Sequence, residues 1–325
     1  MIIAAEPMLR RDPGPAAEQY AADQANFRAA IQWSLEVGEA DRVARMAVAM
    51  WPFLWEAGHL TEGISVMEQV LRDEKALSDA ERANVCLALG MLDFAQGNYE
   101  RAGPALATAM DLYAELGEVR RAATASVALG LIQAVGDLNG GEDLLARATA
   151  TFRELDDPWG VAFGLLNLGG ALLLHQKYAD AIPYLEESVS VARAMNADVI
   201  LSNALINLGW AHQRLGDLES ARRRLRDSVE HAIALDNRQS LARALDALAA
   251  VADSAGDPEH AATLLGAADG VRRSIGAGVW MTDQESHDAT EARLQSELGD
   301  PAYPAAMDRG RGLTADQVLE LTSGG

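Results

Sequence analysis

Apolar residues recur at spacings of three and four along most of the chain, which places their side chains on one face of an α-helix. Leu201, Leu205 and Leu208 follow this spacing, and polar residues such as Asn203 and Asn207 stand between them. Short clusters of Gly, Asn and Asp separate such stretches, as expected for turns. Because the alternation typical of strands is absent, the pattern predicts helices joined by short turns.

The helical stretches repeat in a fixed register. Pairs of Leu followed by Gly, or by Ala in the last copy, lie 40, 39, 40 and 40 residues apart. These pairs are Leu89-Gly90, Leu129-Gly130, Leu168-Gly169, Leu208-Gly209 and Leu248-Ala249. The turns that follow them are Gly97-Asn98-Tyr99, Gly136-Asp137-Leu138, Gln176-Lys177-Tyr178, Gly216-Asp217-Leu218 and Gly256-Asp257-Pro258. A weaker copy with Gly58-His59-Leu60 comes first, so the register predicts about six units.

Each unit has the composition of a helical hairpin. Gly in the turn favours the left-handed conformation that ends a helix, and the Asn or Asp after it favours the N-cap of the next helix. A small residue then follows in every copy, at Gly63, Ala102, Gly141, Ala181, Ala221 and Ala261. Small side chains let the second helix approach its neighbours, and stacked hairpins bury apolar faces that a single hairpin leaves exposed.

Hairpins with Leu-Gly in the first helix, Gly-Asp or Gly-Asn at the turn and Ala in the second helix resemble the tetratricopeptide repeat. Here the copies are five or six residues longer than the usual 34-residue unit, and the extra residues fall between hairpins. HEAT and armadillo arrays share this period, but the Leu-Gly and Gly-Asp positions argue against them. The predicted fold is all-α: a right-handed superhelical solenoid of about six tetratricopeptide-like hairpins with helical caps.

The pattern also predicts the organisation of the chain into three parts. Residues 1–15 contain three Pro and little periodicity and are predicted to form a leader or linker. Residues 16–269 are predicted to form the repeat array, which begins with an amphipathic helix at 16–37. Residues 270–325, where the repeat pattern fades, are predicted to form a helical cap with a last helix N-capped by Thr314.

Both ends carry distinctive motifs, in segments 25–33, 51–55 and 261–272 and, in the tail, at Leu298-Gly299, Tyr303, Ala306-Met307, Gly310-Arg311 and Leu313-Thr314. These motifs resemble the C-terminal region of large actinobacterial regulators. In that family a STAND-type ATPase precedes MalT-like tetratricopeptide repeats, and a LuxR-type or SARP-type DNA-binding domain or a cyclase domain lies elsewhere in the chain. The resemblance implies a sensor or interaction arm. It leaves open whether this sequence is part of a larger regulator or a free-standing relative.

Charge and composition exclude several functions. The 325 residues include 48 Asp and Glu against 27 Lys and Arg, a net charge of −21, which repels nucleic-acid phosphates and anionic lipids. Lys75 and Lys177 are the only lysines, and neither lies in a phosphate-binding Gly-Lys-Ser/Thr motif. With one cysteine, Cys86, and no long uncharged apolar segment, we predict a cytoplasmic protein that binds neither nucleic acid nor membranes.

No catalytic or metal-binding motif is evident. The six histidines are not paired at the spacings of a helical metal site, and there is no nucleophile elbow. His287 lies near Glu285, Asp288 and Glu291, but an acidic solvated helix face is the simpler interpretation. The four arginines Arg222, Arg223, Arg224 and Arg226 are interpreted as a salt-bridged surface. We therefore predict a non-enzymatic protein without a cofactor or metal.

Stacked hairpins form a concave groove lined mainly by their first helices, and its polar positions are the candidate site. Counting from the Leu-Gly pairs places these residues there: Asn84, Phe94, Asn167, Asn203, Asn207, Trp210, Gln213, Arg243 and Asp246. Amides, an indole and a guanidinium together suit an extended peptide. The alternative is that an Asn before Leu-Gly simply bonds a neighbouring helix.

The sequence thus favours a sensor or interaction arm of a signal-transducing, transcription-related regulator. Its expected partner is a protein or peptide segment, or a small effector, held in the groove. The alternative is a generic protein-protein adaptor or homo-oligomerisation scaffold without an effector.

Overall fold

The structure is a computed structural model, and it describes residues 26, 29–34, 36–56, 59–72, 76–275, 277–279 and 284–323. These residues contain helices and no strand. Of the amphipathic helix predicted at 16–37, residues 26, 29–34 and 36 are helical, whereas most of the rest and the predicted leader lie outside the described residues. The prediction of an all-α fold is confirmed.

The helices follow the predicted hairpin register. In chain order they are α1 Ala40–Glu56, α2 Leu60–Leu71, α3 Asp79–Ala95, α4 Tyr99–Glu115, α5 Val119–Gly136, α6 Leu138–Glu154, α7 Pro158–Leu174, α8 Tyr178–Met195, α9 Asp198–Arg214, α10 Leu218–Ala234, α11 Arg238–Ser254, α12 Pro258–Ile275, α13 Gln284–Arg311 and α14 Ala315–Ser323. Every predicted Leu-Gly or Leu-Ala pair lies in the first helix of a hairpin. None of these helices is long and apolar enough to cross a membrane.

The chain divides into two compact units, and the division falls between Asn167 and Leu168 inside α7. In the first unit, the largest fully buried side chains are Trp51, Tyr113 and Phe152. In the second unit, one apolar core extends from α9 to α12 and reaches the C-terminal helices through Leu294, Met307 and Val318. The predicted boundary at residue 269 lies within α12, since that helix continues to Ile275.

The glycine of the Leu-Gly pair is explained by helix packing within each hairpin. A Cβ atom on Gly169 would lie 2.5 Å from the Leu185 side chain of α8, and one on Gly209 would overlap Leu225 of α10. Both leucines are fully buried. The glycine therefore makes room for a leucine of the second helix, which brings the two helices of a hairpin close together.

The turns within hairpins follow the prediction at most positions. Gly97, Gly216 and Gly256 have φ values of 77°, 81° and 79°, and Gln176 takes the same left-handed conformation with φ 57°. Gly136 was expected to do so too, but it is the last residue of α5 and has no positive φ. That turn is shorter, because Asp137 alone separates α5 from α6.

The expected caps also differ in one place. The Asp217 and Asp257 carboxylates accept hydrogen bonds from the backbone N–H groups of Ser220 and His260, as N-caps do. Asn98, in contrast, makes no side-chain cap of α4. Its amide donates instead to Gln96, so a local side-chain partner replaces the helix terminus.

The C-terminal helices pack closely on the last hairpin. A Cβ atom on Gly310 of α13 would lie 2.6 Å from the backbone nitrogen of Ala267 in α12, and one on Gly270 would lie 2.5 Å from the Arg311 carbonyl oxygen. The backbones of α12 and α13 are therefore in near contact, which glycine alone permits. A kink with non-helical backbone at Gly299 interrupts α13, and Thr314 accepts a cap bond from the Gln317 N–H at 3.4 Å, as predicted.

Candidate functional site

Five polar or aromatic residues share one face of α9, and we call this surface the α9 face. They are Asn203, Asn207, Trp210, Gln213 and Arg214. The spacings of four, three and three place Asn203, Asn207, Trp210 and Gln213 along one side of the helix, and Arg214 follows Trp210 by four residues. The opposite side buries Leu201, Leu205 and Leu208, so the apolar pattern that fixes the helix in the core also presents these polar groups at the surface.

Asn203 links α9 to the first helix of the next hairpin. Its Nδ2 donates to the Val199 carbonyl oxygen at 2.9 Å, one turn earlier in α9. Its Oδ1 accepts a hydrogen bond from Nη1 of Arg243 in α11. The structure thus brings together two predicted site residues that are 40 positions apart in the sequence.

Asn207 and Trp210 form the middle of the α9 face. Among the described residues Asn207 has no side-chain hydrogen-bond partner, and its Nδ2 lies 3.9 Å from where a Cβ atom on Gly170 would stand. Trp210 is half-buried and packs against the core of the second unit. The Arg214 guanidinium lies 5.9 Å from the Trp210 ring centroid, within the range of a cation–π interaction.

Gln213 completes the face with an unsatisfied acceptor. Its Nε2 donates to Ser254 Oγ at 2.9 Å. Its Oε1 is enclosed, yet it accepts no hydrogen bond in the part of the chain that the structure describes. A buried acceptor without a donor costs about 1–3 kcal/mol.

Asp246 was expected in the groove, but the structure places it in a buried ion pair. Asp246 is 8% exposed, and its side chain accepts a hydrogen bond from Arg272 of α12 through Oδ2. Its Oδ1 lies 3.2 Å from Nδ1 of His287 in α13, and this hydrogen bond raises the pKa of His287 despite the opposing effect of burial. Both oxygens are engaged within the chain, so Asp246 does not belong with the α9 face.

The candidates of the first unit are occupied by neighbouring groups. Tyr113 donates its hydroxyl to Oδ1 of Asn84 at 2.7 Å, and Asn167 donates to the carbonyl of its own helix at Phe163. The Phe94 ring lies 5.7 Å from the Tyr99 ring. For Asn84, the structure agrees with the alternative in which the asparagine bonds a neighbouring helix.

One cavity of 240 Å³ lies in the first unit. Its lining includes Ile31, Met50, Leu54 and Met67, and none of the predicted site residues. Two arginines of the run in α10 form surface ion pairs, Arg224 with Glu186 and Arg226 with Glu230.

Two of the three residues considered for metal binding are bonded to other residues of the chain. His287, Asp288 and Glu291 carry ligand atoms within 4.8 Å of one another. However, His287 bonds Asp246, and Glu291 accepts a hydrogen bond from the Tyr303 hydroxyl at 2.9 Å. Cys86 is buried.

Two relevant residues were missed by sequence reasoning, Gly170 and Arg214. Arg214 follows Trp210 by four residues, the spacing of helix-surface neighbours, so this signal was available. Gly170 was overlooked because it directly follows the Leu168-Gly169 pair and was taken as part of the same motif.

The hairpins form a fold of tetratricopeptide-like repeats. A family profile described as tetratricopeptide repeat matches residues 160–234, which include α9 and most of α7. No curated protein sequence matches the chain.

Solved structures show the same fold at low sequence identity. NprR in complex with its cognate peptide NprX has a TM-score of 0.57 and 14% identity over 82% of this chain and 76% of that chain. A STAND protein with a tetratricopeptide repeat sensor from Pyrococcus horikoshii has a TM-score of 0.56 and 14% identity over 98% of this chain and 49% of that chain. BtubC from P. vanneervenii has a TM-score of 0.53 and 19% identity over 65% of this chain and 90% of that chain.

Proposed function

We propose that this protein is a non-enzymatic binding arm of a signal-transducing regulator of transcription, and that its α9 face binds an extended peptide segment. The observation that carries the proposal is the set of unused groups on this face. Asn207 is partly exposed and has no side-chain hydrogen-bond partner among the described residues. An extended peptide offers backbone N–H and C=O groups that pair with the carbonyl oxygen and the amino group of this side chain.

The aromatic side chain on the same face suits this role. Trp210 is half-buried, so its position is fixed by the core while part of the indole remains accessible. A rigid aromatic group of this kind contributes much of the binding energy at peptide and protein interfaces. Asn203 is held by Val199 and Arg243, which orients the end of the face before a ligand arrives.

The comparisons support a sensor role without assigning it. NprR is described with a bound peptide, and the Pyrococcus horikoshii protein is described as carrying a tetratricopeptide repeat sensor. The motifs at both ends of this chain resemble the repeat region of MalT-like actinobacterial regulators with a LuxR-type or SARP-type domain. We propose that the effector domain of such a regulator acts downstream of this arm.

Thermal unfolding in the presence of peptide pools and a metabolite panel tests the proposal. A ligand that binds the folded state raises its stability, by about 2.7 kcal/mol at a concentration of one hundred times Kd. We expect peptides to raise the melting temperature. The double variant Asn207→Ala, Trp210→Ala should abolish the shift, whereas Asn139→Ala, Trp33→Ala, at exposed positions of the first unit, should retain it.

The other outcomes have distinct meanings. A shift with metabolites alone indicates a small-effector sensor, and the peptide proposal is then wrong. If neither class shifts the transition, the chain is better described as an adaptor or oligomerisation scaffold. If the shift survives in the α9 double variant, the ligand binds at another surface.

A further inference from the structure

Two adjacent glycines of α7 differ in what the packing requires of them. A side chain on Gly169 would collide with Leu185, as described above. A Cβ atom on Gly170 would meet only Asn207 Nδ2, at 3.9 Å, which is an ordinary contact. Glycine is unfavourable within a helix compared with alanine. The packing of the chain therefore does not account for Gly170.

The repeat register explains where this vacant position lies. Gly170, Trp210 and Ala250 are 40 residues apart, so they occupy equivalent positions on the first helices α7, α9 and α11. Trp210 thus comes between two positions with minimal side chains. The Asn207 amide lies 3.9 Å from the point that a Cβ atom on Gly170 would occupy. We call the surface formed by Gly170, Asn207 and Trp210 the Gly170 notch.

An uncompensated positive charge lies next to the notch. Most arginines of the second unit are paired with carboxylates, and the pairs include Arg193–Asp227, Arg224–Glu186, Arg226–Glu230, Arg272–Asp246, Arg293–Asp253 and Arg309–Glu259. Arg214 forms no ion pair among the described residues and instead lies over the Trp210 ring. In a chain of net charge −21, such a cation beside an aromatic ring favours an anionic group of a partner.

We propose that the Gly170 notch is the specificity subsite of the α9 face, and that it takes an aromatic or branched aliphatic side chain of an acidic peptide. The side chain lies over Gly170 against Trp210, and a neighbouring carboxylate of the peptide pairs with Arg214. This inference rests on the proposed function and narrows it to one class of peptide.

The dimensions of the α9 face favour a peptide over a small metabolite. Asn203 and Gln213 are ten residues apart in the helix, which corresponds to about 15 Å. An extended peptide of about five residues has this length. A ligand that engages both ends of the face therefore needs several residues, of which one occupies the notch.

A positional-scanning library of fluorescein-labelled heptapeptides with amidated C-termini tests the proposal by fluorescence anisotropy with the full chain. We expect binding by pools that carry Phe, Trp, Leu or Ile next to Asp or Glu. Replacing the acidic residue by its amide should weaken binding at least tenfold. A second library with free C-termini distinguishes a side-chain carboxylate from a terminal one.

Variants of the chain test the two contacts separately. Gly170→Leu should weaken binding at least tenfold, whereas Gly103→Leu, another helix glycine with open space at its Cβ, should not change it. Arg214→Gln should weaken binding of the acidic peptides and leave their amide counterparts unchanged. Arg223→Gln, an exposed arginine of α10, is the matched control. Circular dichroism verifies that each variant is folded. If Gly170→Leu is unstable, Gly170→Ala replaces it in the binding measurement.

The results separate this inference from the proposed function. If peptides bind and the Asn207→Ala, Trp210→Ala variant loses them, but Gly170→Leu and Arg214→Gln do not, the proposed function holds and the notch is wrong. Binding by peptides that lack an apolar residue next to an acidic one would also contradict the assignment of the notch as a specificity subsite. If no pool binds, both proposals fail.

Discussion

The Asp246 carboxylate accepts a hydrogen bond from the Arg272 guanidinium, and both side chains are buried. This ion pair joins α11 to α12, and the contact of Asp246 with His287 extends it to α13. The repeat region and the C-terminal helices therefore share a charged network within their common core.

Removing Asp246 should destabilise the protein strongly. Asp246→Ala leaves the Arg272 charge buried without its partner, and such changes cost about 3–5 kcal/mol. The exposed pair of Arg226 and Glu230 provides the control, because Glu230→Ala should cost less than about 1 kcal/mol. Urea unfolding of the three proteins measures the difference. Equal decreases in the free energy of unfolding of both variants would show that the buried pair stabilises the protein no more than the exposed one.

Stability should depend on the protonation of His287. Its hydrogen bond to Asp246 raises its pKa in the folded state, so its contribution is complete below the unfolded pKa of about 6.5 and is lost as pH rises through the higher folded pKa. His287→Gln should remove this part of the pH dependence. Urea unfolding between pH 5.5 and pH 8 measures it.

His260 provides a control of opposite sign. Burial lowers its pKa in the folded state, so its effect appears as pH falls below about 6.5, where the unfolded chain takes up the proton first. His260→Gln should therefore reduce the loss of stability on acidification. If both variants change the pH profile in the same direction, the assignment to individual histidines is wrong.

The adjacent glycines of α7 should respond in opposite ways to the same substitution. Gly170→Ala meets no close contact and should stabilise the helix by about 0.5–1 kcal/mol. Gly169→Ala places its Cβ against Leu185 and should destabilise the protein by about 1–3 kcal/mol. Thermal unfolding of the two variants decides the matter. A loss of stability in Gly170→Ala would indicate that packing does require this glycine.

The crossing of α12 and α13 should be sensitive to a single methyl group. Gly310→Ala places a Cβ against the α12 backbone and should cost roughly 1–3 kcal/mol. Gly312→Ala meets nothing within 4 Å and should be close to neutral. Hydrogen exchange localises the effect, since faster exchange should be confined to α13 and α14. Uniformly faster exchange throughout the second unit would instead indicate that these helices unfold together with the repeats.

The repeat architecture could be predicted because its causes are local and periodic. The Leu-Gly pairs fixed the register, and the structure shows why, since each glycine accommodates a leucine of its own hairpin. The exception at Gly136 arose because α5 is longer by one residue than the other first helices of the full repeats, so the glycine was absorbed into the helix.

The site was less predictable, because side-chain partners do not follow the period. Asp246 was placed on the surface by register, but its partners lie 26 and 41 residues ahead, in α12 and α13. Asn167 and Asn203 were placed correctly on first helices, yet their amides partly bond their own backbones. Which amides remain available for a ligand depends on these contacts, and the repeat period does not reveal them.

The glycine contact between α12 and α13 also limits how the protein can change by duplication. A further copy of one 40-residue period inserted between α10 and α11 would add a hairpin with compatible surfaces on both sides. An insertion after α12 would instead displace α13 from Gly266 and Gly270. Hairpins can thus be added within the repeat array, whereas α13 must remain directly next to the last hairpin.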